Sequence, residues 1–377
     1  MARRMPVTLA DVARRAGVSL STASRVINGS ARQVTPELEQ RVTAAAADLG
    51  YTPNAQAQAL ARSASNVVGL VVHDIADPYF SSIVAGAMRV ADRHGLIIMV
   101  GNTFRDPQRE VEYVGTLRAH RVRAIIVVGT RTSSRAMTAR LAAELAAFEA
   151  AGGRAACVSQ PRLPVDTVVP ENRAGARDLA RHLTRLGHRR FAVLAGPRAM
   201  LTSRERLAGF RDGLAEAGLD LPEDRVAEGA FTRDGGYAAM TELLAGNAGL
   251  PGQEAGTTCV FAVSDVMAVG AMAALRERGI AVPGTLSVAG FDDIATLRDL
   301  TPPLTTVRLP LEEMGVRAAE LALETERDGG DSGRPPRVVR VPGEVVIRES
   351  TVTPHARRSG QGSGGAGRGR ASPTAGR

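Results

Sequence analysis

The residues able to do chemistry are few in kind, and their spacing favours binding over turnover. All 47 basic residues are arginine; the 377-residue chain has no lysine. That excludes a phosphate-loop lysine, a Schiff-base lysine and the usual kinase lysine together. Arg, Ala and Gly are abundant together, as a GC-rich coding sequence produces, so nothing functional is drawn from Arg over Lys. Cys157 and Cys259 stand alone, without C-x-x-C spacing, so neither a disulfide framework nor a cysteine zinc site is expected. His73, His94, His120, His182, His188 and His355 are scattered along the chain. With no nucleophile–base motif, metal cluster or phosphate loop, no enzyme activity, metal or cofactor is expected.

The chemistry that the spacing does support is hydrogen bonding to DNA. Two short helices joined by a glycine-containing turn can set the second helix into the major groove. At the start of that second helix stand Leu20, Ser21 and Thr22, with Arg25 one turn on. Arginine reaches guanine O6 and N7 with two hydrogen bonds, or a phosphate with one. Thr8, Ser24 and Asn28 are short polar residues suited to phosphate contacts, which set register but not sequence.

Three helices must position these groups. Thr8 N-caps a helix over about 9–16 with Asp11 in capping-box position, and Gly17 stops it. Ser19 caps a second over about 20–28, and Thr35-Pro36 opens a third to about Asp48. Residues 52–65 hold helix formers but almost no large apolar side chain except Leu60. Such a segment cannot hold a helix alone and is expected to order only with a partner.

From Val67 short apolar runs alternate with helical stretches. Strands are predicted at 67–72, 96–100, 124–128, 155–158, 191–194, 259–263 and 286–290. Helices are predicted at 79–94, 107–119, 136–151, 173–186, 205–217, 234–245, 265–278 and 310–325. This alternation implies doubly wound α/β structure with parallel sheets, enough for two lobes with a ligand pocket in the crevice between them. Residues 359–377 are mostly Gly, Ser, Ala and Arg and are expected to be disordered.

The net charge of +8 is not spread evenly. Residues 1–65 carry eight arginines against four acids, and residues 351–377 five arginines and no acid, whereas 66–350 hold 34 arginines against 35 acids. The excess lies at the two ends, where a phosphate backbone would attract it. The near-neutral middle suits a sensor of uncharged ligands. The start has no apolar h-region and the apolar runs are too short to span a bilayer, so a cytoplasmic protein without membrane contact is expected.

Val7-Thr8-Leu9-Ala10-Asp11-Val12-Ala13, Ala16-Gly17-Val18-Ser19 and Thr22-Ala23-Ser24-Arg25-Val26-Ile27-Asn28 together resemble the headpiece of the LacI/GalR family of bacterial transcriptional repressors. Leu49-Gly50-Tyr51-Thr52-Pro53-Asn54 and Ala59-Leu60-Ala61 extend the resemblance, which runs from residue 7 to about 350. It implies an all-α helix-turn-helix headpiece (1–51), a hinge helix or linker (52–65) and a two-lobe core like periplasmic binding proteins (66–350), followed by the tail (351–377). Lobe 1 is expected at about 66–164 and 307–327, lobe 2 at about 165–306 and 328–350. The segment matching 54–61, with Asn54, Ala57 and Leu60, is the family's DNA-contacting hinge, and Leu60 takes the place of its minor-groove wedge. An apolar wedge of that kind unstacks a base step and kinks the duplex.

The resemblance also implies effector contacts. Asp74, Tyr79 and Phe80 fall in the family's first ligand loop, in Asp74-Ile75-Ala76-Asp77-Pro78-Tyr79-Phe80. Arg206 matches its ligand-binding arginine, Phe231 its stacking aromatic and Asp292 its acidic ligand, in Gly290-Phe291-Asp292-Asp293. Ser264-Asp265 departs from the family's Asn-Asp pair, which puts the amide's hydrogen bonds in doubt, although Asp265 stays a candidate. The implied protein is a repressor whose affinity for double-stranded operator DNA is controlled by a small effector, a sugar first and a purine second. Without a leucine heptad near the C-terminus, a homodimer is expected rather than a tetramer. A solute-binding transport protein shares the two-lobe fold, but it would carry an export signal in place of a headpiece. Leu60→Gly is expected to weaken operator binding and to reduce operator bending in a circular-permutation gel assay. Unchanged affinity and bend would remove the hinge role.

Overall fold

The computed structural model describes residues 7–27, 34–52, 65–246, 256–324 and 335–354. Asn28, Asn54, Ala57, Leu60 and the tail beyond Pro354 lie outside them. The headpiece helices are α1 (Leu9–Ala16), α2 (Leu20–Ile27) and α3 (Pro36–Leu49), packed around Val12, Ala13, Ala16, Ala23, Val42 and Ala45. The small alanines let short helices approach closely, which is how a unit of this size closes a core.

Lobe 1 is a six-stranded, all-parallel sheet. In spatial order its strands are β11 (Val338–Val341), β5 (Asp166–Pro170), β4 (Arg154–Val158), β3 (Ala124–Val128), β1 (Val67–Val72) and β2 (Ile97–Asn102). Its helices are α4 (Pro78–Arg93), α5 (Pro107–Ala119), α6 (Arg135–Ala150) and α11 (Leu311–Leu323). Lobe 2 is a four-stranded parallel sheet in the order β7 (Val226–Glu228), β6 (Phe191–Ala195), β8 (Cys259–Ala262) and β9 (Ser287–Ala289). Its helices are α7 (Asn172–Arg185), α8 (Leu201–Ala215), α9 (Arg233–Ala245) and α10 (Asp265–Glu277). Between the lobes β10 (Thr306–Arg308) pairs antiparallel with β12 (Glu344–Val346). Runs such as Ala124–Val128 are buried at every position, as parallel strands covered on both faces require.

The division between lobes differs from the sequence expectation in two places. Residues 166–170 and 338–341, expected in lobe 2, belong to the first sheet, where 166–170 pair with β4 on one side and with 338–341 on the other. Strand β5 resumes after the Pro161–Pro164 turn, so that turn is internal to lobe 1 and the crossing comes only after Pro170. Helix α8 begins at Leu201 rather than 205, which brings Thr202 into its first turn.

Three helix pairs cross on glycines. A Cβ at Gly86 would overlap the Glu312 carbonyl oxygen, and one at Gly315 that of Ile83, between α4 and α11. Gly209 stands against the carbonyl of Arg173 between α8 and α7, and Gly236 and Gly270 against those of Met267 and Arg233 between α9 and α10. Backbone cannot yield as a flexible side-chain end can. Gly315→Ala is therefore expected to destabilise lobe 1 by about 1–3 kcal/mol, read as a lower thermal midpoint; an unchanged midpoint would contradict the close crossing.

Candidate ligand cleft and DNA-reading headpiece

In the headpiece Asp11 N donates to Thr8 Oγ1 at 3.3 Å while Thr8 N and Oγ1 donate to Asp11 Oδ2 at 3.0 and 2.7 Å. These Thr8 hydrogen bonds hold the Asp11 carboxyl below its ordinary value. Gly17 turns the chain at φ 64°, a conformation glycine adopts without Cβ strain, and Arg41 Nη2 donates to Ala16 O at 2.5 Å, fastening α3 to the turn. Ser19 opens α2 by accepting from Thr22 N at 3.1 Å, and its hydroxyl also lies 2.9 Å from Ser21 Oγ and 2.8 Å from Thr22 Oγ1. Leu20 is 54% exposed. Ser21 and Arg25 are exposed as well, with Thr22 and Ser24 half-buried. An exposed leucine and hydroxyls at a helix start, with a guanidinium in its last turn, suit a groove with thymine methyls, base edges and phosphates.

The cleft lies between the lobes, with about 410 Å³ of empty volume. Lobe 2 supplies Arg206, Asp292 and Phe231, and lobe 1 supplies Tyr79 and Phe80 across from them. Arg206 is 2% exposed. Its Nε donates to Asn172 Oδ1 at 2.9 Å, Nη1 to the Val263 carbonyl at 2.7 Å and Nη2 to Asp292 Oδ1 at 2.7 Å. The guanidinium carbon stands 3.9 Å from the centre of the Phe291 ring. Such a stack fixes a planar cation and leaves two of its five N–H groups for a ligand. Phe291 is fully buried, a platform and not part of the lining. Burial pushes the Asp292 carboxyl up to about 6, against the pull of Arg206. Asp292 has φ 124°, and its N donates to Val307 O at 2.8 Å, so the carboxylate is fixed where the chain crosses between lobes.

Two candidate residues lie away from the cleft. Asp74 accepts from Ala76 N at 3.1 Å and from Arg105 Nη1 at 3.3 Å, so it places Arg105 without lining the cavity. Asp265 is fully buried behind it, accepting from Thr306 Oγ1 at 2.7 Å and from Ile294 N at 3.1 Å. The neighbouring Ser264 Oγ is buried with no partner among the described residues, so the serine does not replace an amide's hydrogen bonds.

Six lining residues were not read from the sequence: His73, Asp77, Arg105, Thr130, Met200 and Thr202. Asp77 had a legible signal, since Asp77-Pro78 is an N-cap followed by a helix-opening proline, and its Oδ1 accepts from Tyr79 N at 3.0 Å. Burial raises its carboxyl. Arg105 sits at φ 62° after β2, a placement that no periodicity reveals.

Burial, with the Asp292 charge adding to it, pushes the Asp265 carboxyl from 3.8 up to about 8. An acid raised on folding stabilises most at low pH, and that contribution falls from about pH 4 to about pH 8 as the unfolded chain ionises first. Asp265→Asn keeps an acceptor for Ile294 N and a donor for Thr306 Oγ1 but has no charge to bury. The unfolding free energy of Asp265→Asn relative to wild type, from denaturant titration, is expected to rise between pH 5 and 8 and then level, by at most about 1.4 kcal/mol per pH unit; parallel pH profiles would refute the buried neutral acid.

Comparison with known proteins agrees with this architecture from both ends of the chain. Residues 8–54 match the bacterial regulatory proteins of the lacI family, and residues 180–351 match a periplasmic binding protein-like domain. The HTH-type transcriptional regulator DegA of Bacillus subtilis (strain 168) is 34% identical over 355 residues, 92% of this chain and 98% of its own. The lac repressor dimer bound to operator and the anti-inducer ONPF is similar in structure with a TM-score of 0.74 and 30% identity, over 92% of this chain and all of that one. The complex of the transcriptional regulator CelR with cellobiose has a TM-score of 0.64 and 31% identity, over the same shares. A helix-turn-helix headpiece followed by a two-lobe core, shared along nine-tenths of the chain, makes this protein a transcriptional regulator of the lacI family.

Proposed function

We propose that this regulator is a homodimeric repressor whose affinity for operator DNA is set by a sugar bound between the lobes. The observation that carries the reading is the cleft itself: a fixed guanidinium–carboxylate pair on one lobe faces two aromatic rings on the other. Arg206 and Asp292 offer donors and acceptors side by side, which matches adjacent hydroxyls of a sugar. The aromatic rings supply a face for its C–H surface. The CelR–cellobiose complex shows that a relative with this architecture takes a sugar. The proposed role is binding without turnover, as in relatives that are transcriptional regulators. No helix among the described residues is long and apolar enough to cross a membrane.

Self-association is supported by an apolar edge. Strand β2 ends the first sheet, and Ile97, Met99 and Val100 on it are exposed, with Phe104 beyond. An unpaired edge carrying this much apolar surface is a pairing surface. The lac repressor dimer is a relative that assembles in pairs.

A thermal-shift screen of sugars and purines, followed by operator binding with each hit, tests the effector. A sugar that raises the midpoint and changes operator affinity is the expected outcome; hits among purines alone, or hits that leave operator affinity unchanged, would overturn it. Removal of residues 1–62 is expected to abolish operator binding and to keep the ligand-induced shift. Arg206→Lys keeps a charge beside Asp292 but loses the planar fork, and is expected to weaken the hit about tenfold or more by calorimetry.

A further inference from the structure

Arg206 does not hold its place alone. Helix α8 brings Thr202, Glu205 and Arg206 to one face, since residues three and four apart on a helix are neighbours. Arg206 lines the cleft, and its Nε donates to Asn172 Oδ1 at 2.9 Å. The other end of the same amide, Asn172 Nδ2, donates to Glu205 Oε2 at 2.9 Å. That oxygen accepts a second hydrogen bond from the opposite lobe. Gln160, just after β4, divides its Nε2 between Glu205 Oε2 and Thr202 Oγ1 at 3.0 Å each. Gln160 Oε1 in turn accepts from Arg131 N at 2.8 Å. An unbroken run of hydrogen bonds thus joins the lobe 1 backbone to the guanidinium on lobe 2.

The polarity of this run is set at its two ends. A side-chain amide can be turned either way round, and its partners decide which. A guanidinium has only donors, so the Asn172 oxygen faces Arg206 and its nitrogen must find an acceptor. The Gln160 oxygen is taken by a backbone N–H, so its nitrogen too faces an acceptor. Gln160 is 4% exposed and Asn172 2%, so a lost partner leaves a buried polar group unpaired. Without Glu205 the Asn172 amide loses the contact that tells its two ends apart. Turned over, it would set its own N–H groups against the Arg206 Nε–H.

Neither Glu205 nor Asn172 nor Gln160 lines the cavity. Their effect on a ligand therefore passes through Arg206. Both donors meet Glu205 at the same oxygen, so one acceptor oxygen is enough for the task and a second negative charge beside Asp292 is not needed.

We propose that Glu205 is a positioning residue for the ligand arginine. It fixes the Asn172 amide, which fixes Arg206, and it is itself held from lobe 1 by Gln160, so the arginine is fully held only when the lobes meet. The inference rests on the reading of Arg206 as an effector-binding group and adds to it the residue that orients that group and ties its orientation to closure. The family resemblance singled out neither Glu205 nor Gln160.

The first readout needs no ligand. In full-length protein carrying isotope-labelled arginine, a buried and hydrogen-bonded Nε–H exchanges slowly with solvent. The Arg206 signal is assigned by its absence from Arg206→Lys. Glu205→Leu is expected to speed that exchange about tenfold or more. Glu205→Gln, which keeps an acceptor oxygen, is expected to leave it within about threefold. Gln160→Met removes only the lobe 1 donor and is expected to speed it by less than Glu205→Leu does. Glu205→Ala serves if leucine at this half-buried position impairs folding.

The second readout is titration calorimetry with glucose, galactose and cellobiose. Whichever binds is expected to bind about tenfold more weakly to Glu205→Leu and within about threefold of wild type to Glu205→Gln. In the Arg206→Lys background Glu205→Leu is expected to cost no more than about twofold further, because a residue acting through Arg206 has nothing left to place. Unchanged exchange in Glu205→Leu, equal damage from leucine and glutamine, or full additivity with Arg206→Lys would overturn the positioning role. No effect of Gln160→Met would overturn the tie to lobe 1. If none of the three sugars binds, the sugar reading falls, while the exchange experiment still decides the role of Glu205.

Discussion

The buried pair of Arg206 and Asp292 is the constraint around which lobe 2 is arranged. Two charges removed from water are tolerated only when their geometry is good and further hydrogen bonds support them. Three separate pieces of chain provide that: Asn172 at the start of α7, the Val263 carbonyl at the end of β8, and Asp292 after β9. Phe291 lies beneath the guanidinium and fixes its plane. Losing either charge would leave the other buried and alone, so pair and surrounding loops hold one another in place. A site built this way is preorganised before any ligand arrives.

Behind the pair stands a second acid, and the two divide the work. Asp292 keeps its charge with the help of an arginine, whereas Asp265 has only a hydroxyl and a backbone N–H and is pushed towards its neutral form. One carboxyl is thus available as a strong acceptor at the cleft. The other ties α10 to the loop after β9 and to the strand that crosses between lobes, without adding a second negative charge.

Much of this was legible in the residues, and the losses have physical causes. The capping box of Thr8 and Asp11 and the glycine stop at Gly17 are local hydrogen-bond patterns, so they appear in the structure as spaced in the sequence. Long buried strands such as Ala124–Val128 declare themselves as apolar runs. Strands β7, β10 and β12 are three residues each, too short for a period to register. Strand β11 is mostly exposed at a sheet edge and carries an arginine, so its place is set by pairing with β5 and not by hydropathy. In the cleft, Arg206 and Asp292 were reached through family resemblance. So were Tyr79 and Phe80 on the opposite wall, whereas Thr130 beside them was not, because its partner Thr202 lies on the other lobe. Asp265 shows the converse: an acid next to a ligand motif can serve only the scaffold.

The contacts between lobes explain why a ligand in this cleft could act at a distance. Thr202 N donates to Thr130 Oγ1 at 3.0 Å, Leu201 N to Arg131 O at 3.0 Å and Ser133 N to Ala199 O at 2.9 Å, and Gln160 Nε2 reaches both Thr202 Oγ1 and Glu205 Oε2 at 3.0 Å. These are hydrogen bonds at a rim, each worth about 0.5–1.5 kcal/mol net, and among the described residues the chain crosses between lobes near 171, 306 and 343. Two rigid lobes joined by few crossings and a thin polar rim form an element that can open and close as a unit. A ligand shifts such an equilibrium only by its difference in affinity for the two states. One held by lobe 2 alone would bind open and closed forms equally and shift nothing. In the proposed reading the ligand touches Arg206 and Asp292 on one lobe and Tyr79 and Phe80 on the other, so part of its binding energy exists only when the lobes meet. Control of the headpiece then requires no contact between ligand and DNA, only that the open and closed forms differ in their affinity for operator.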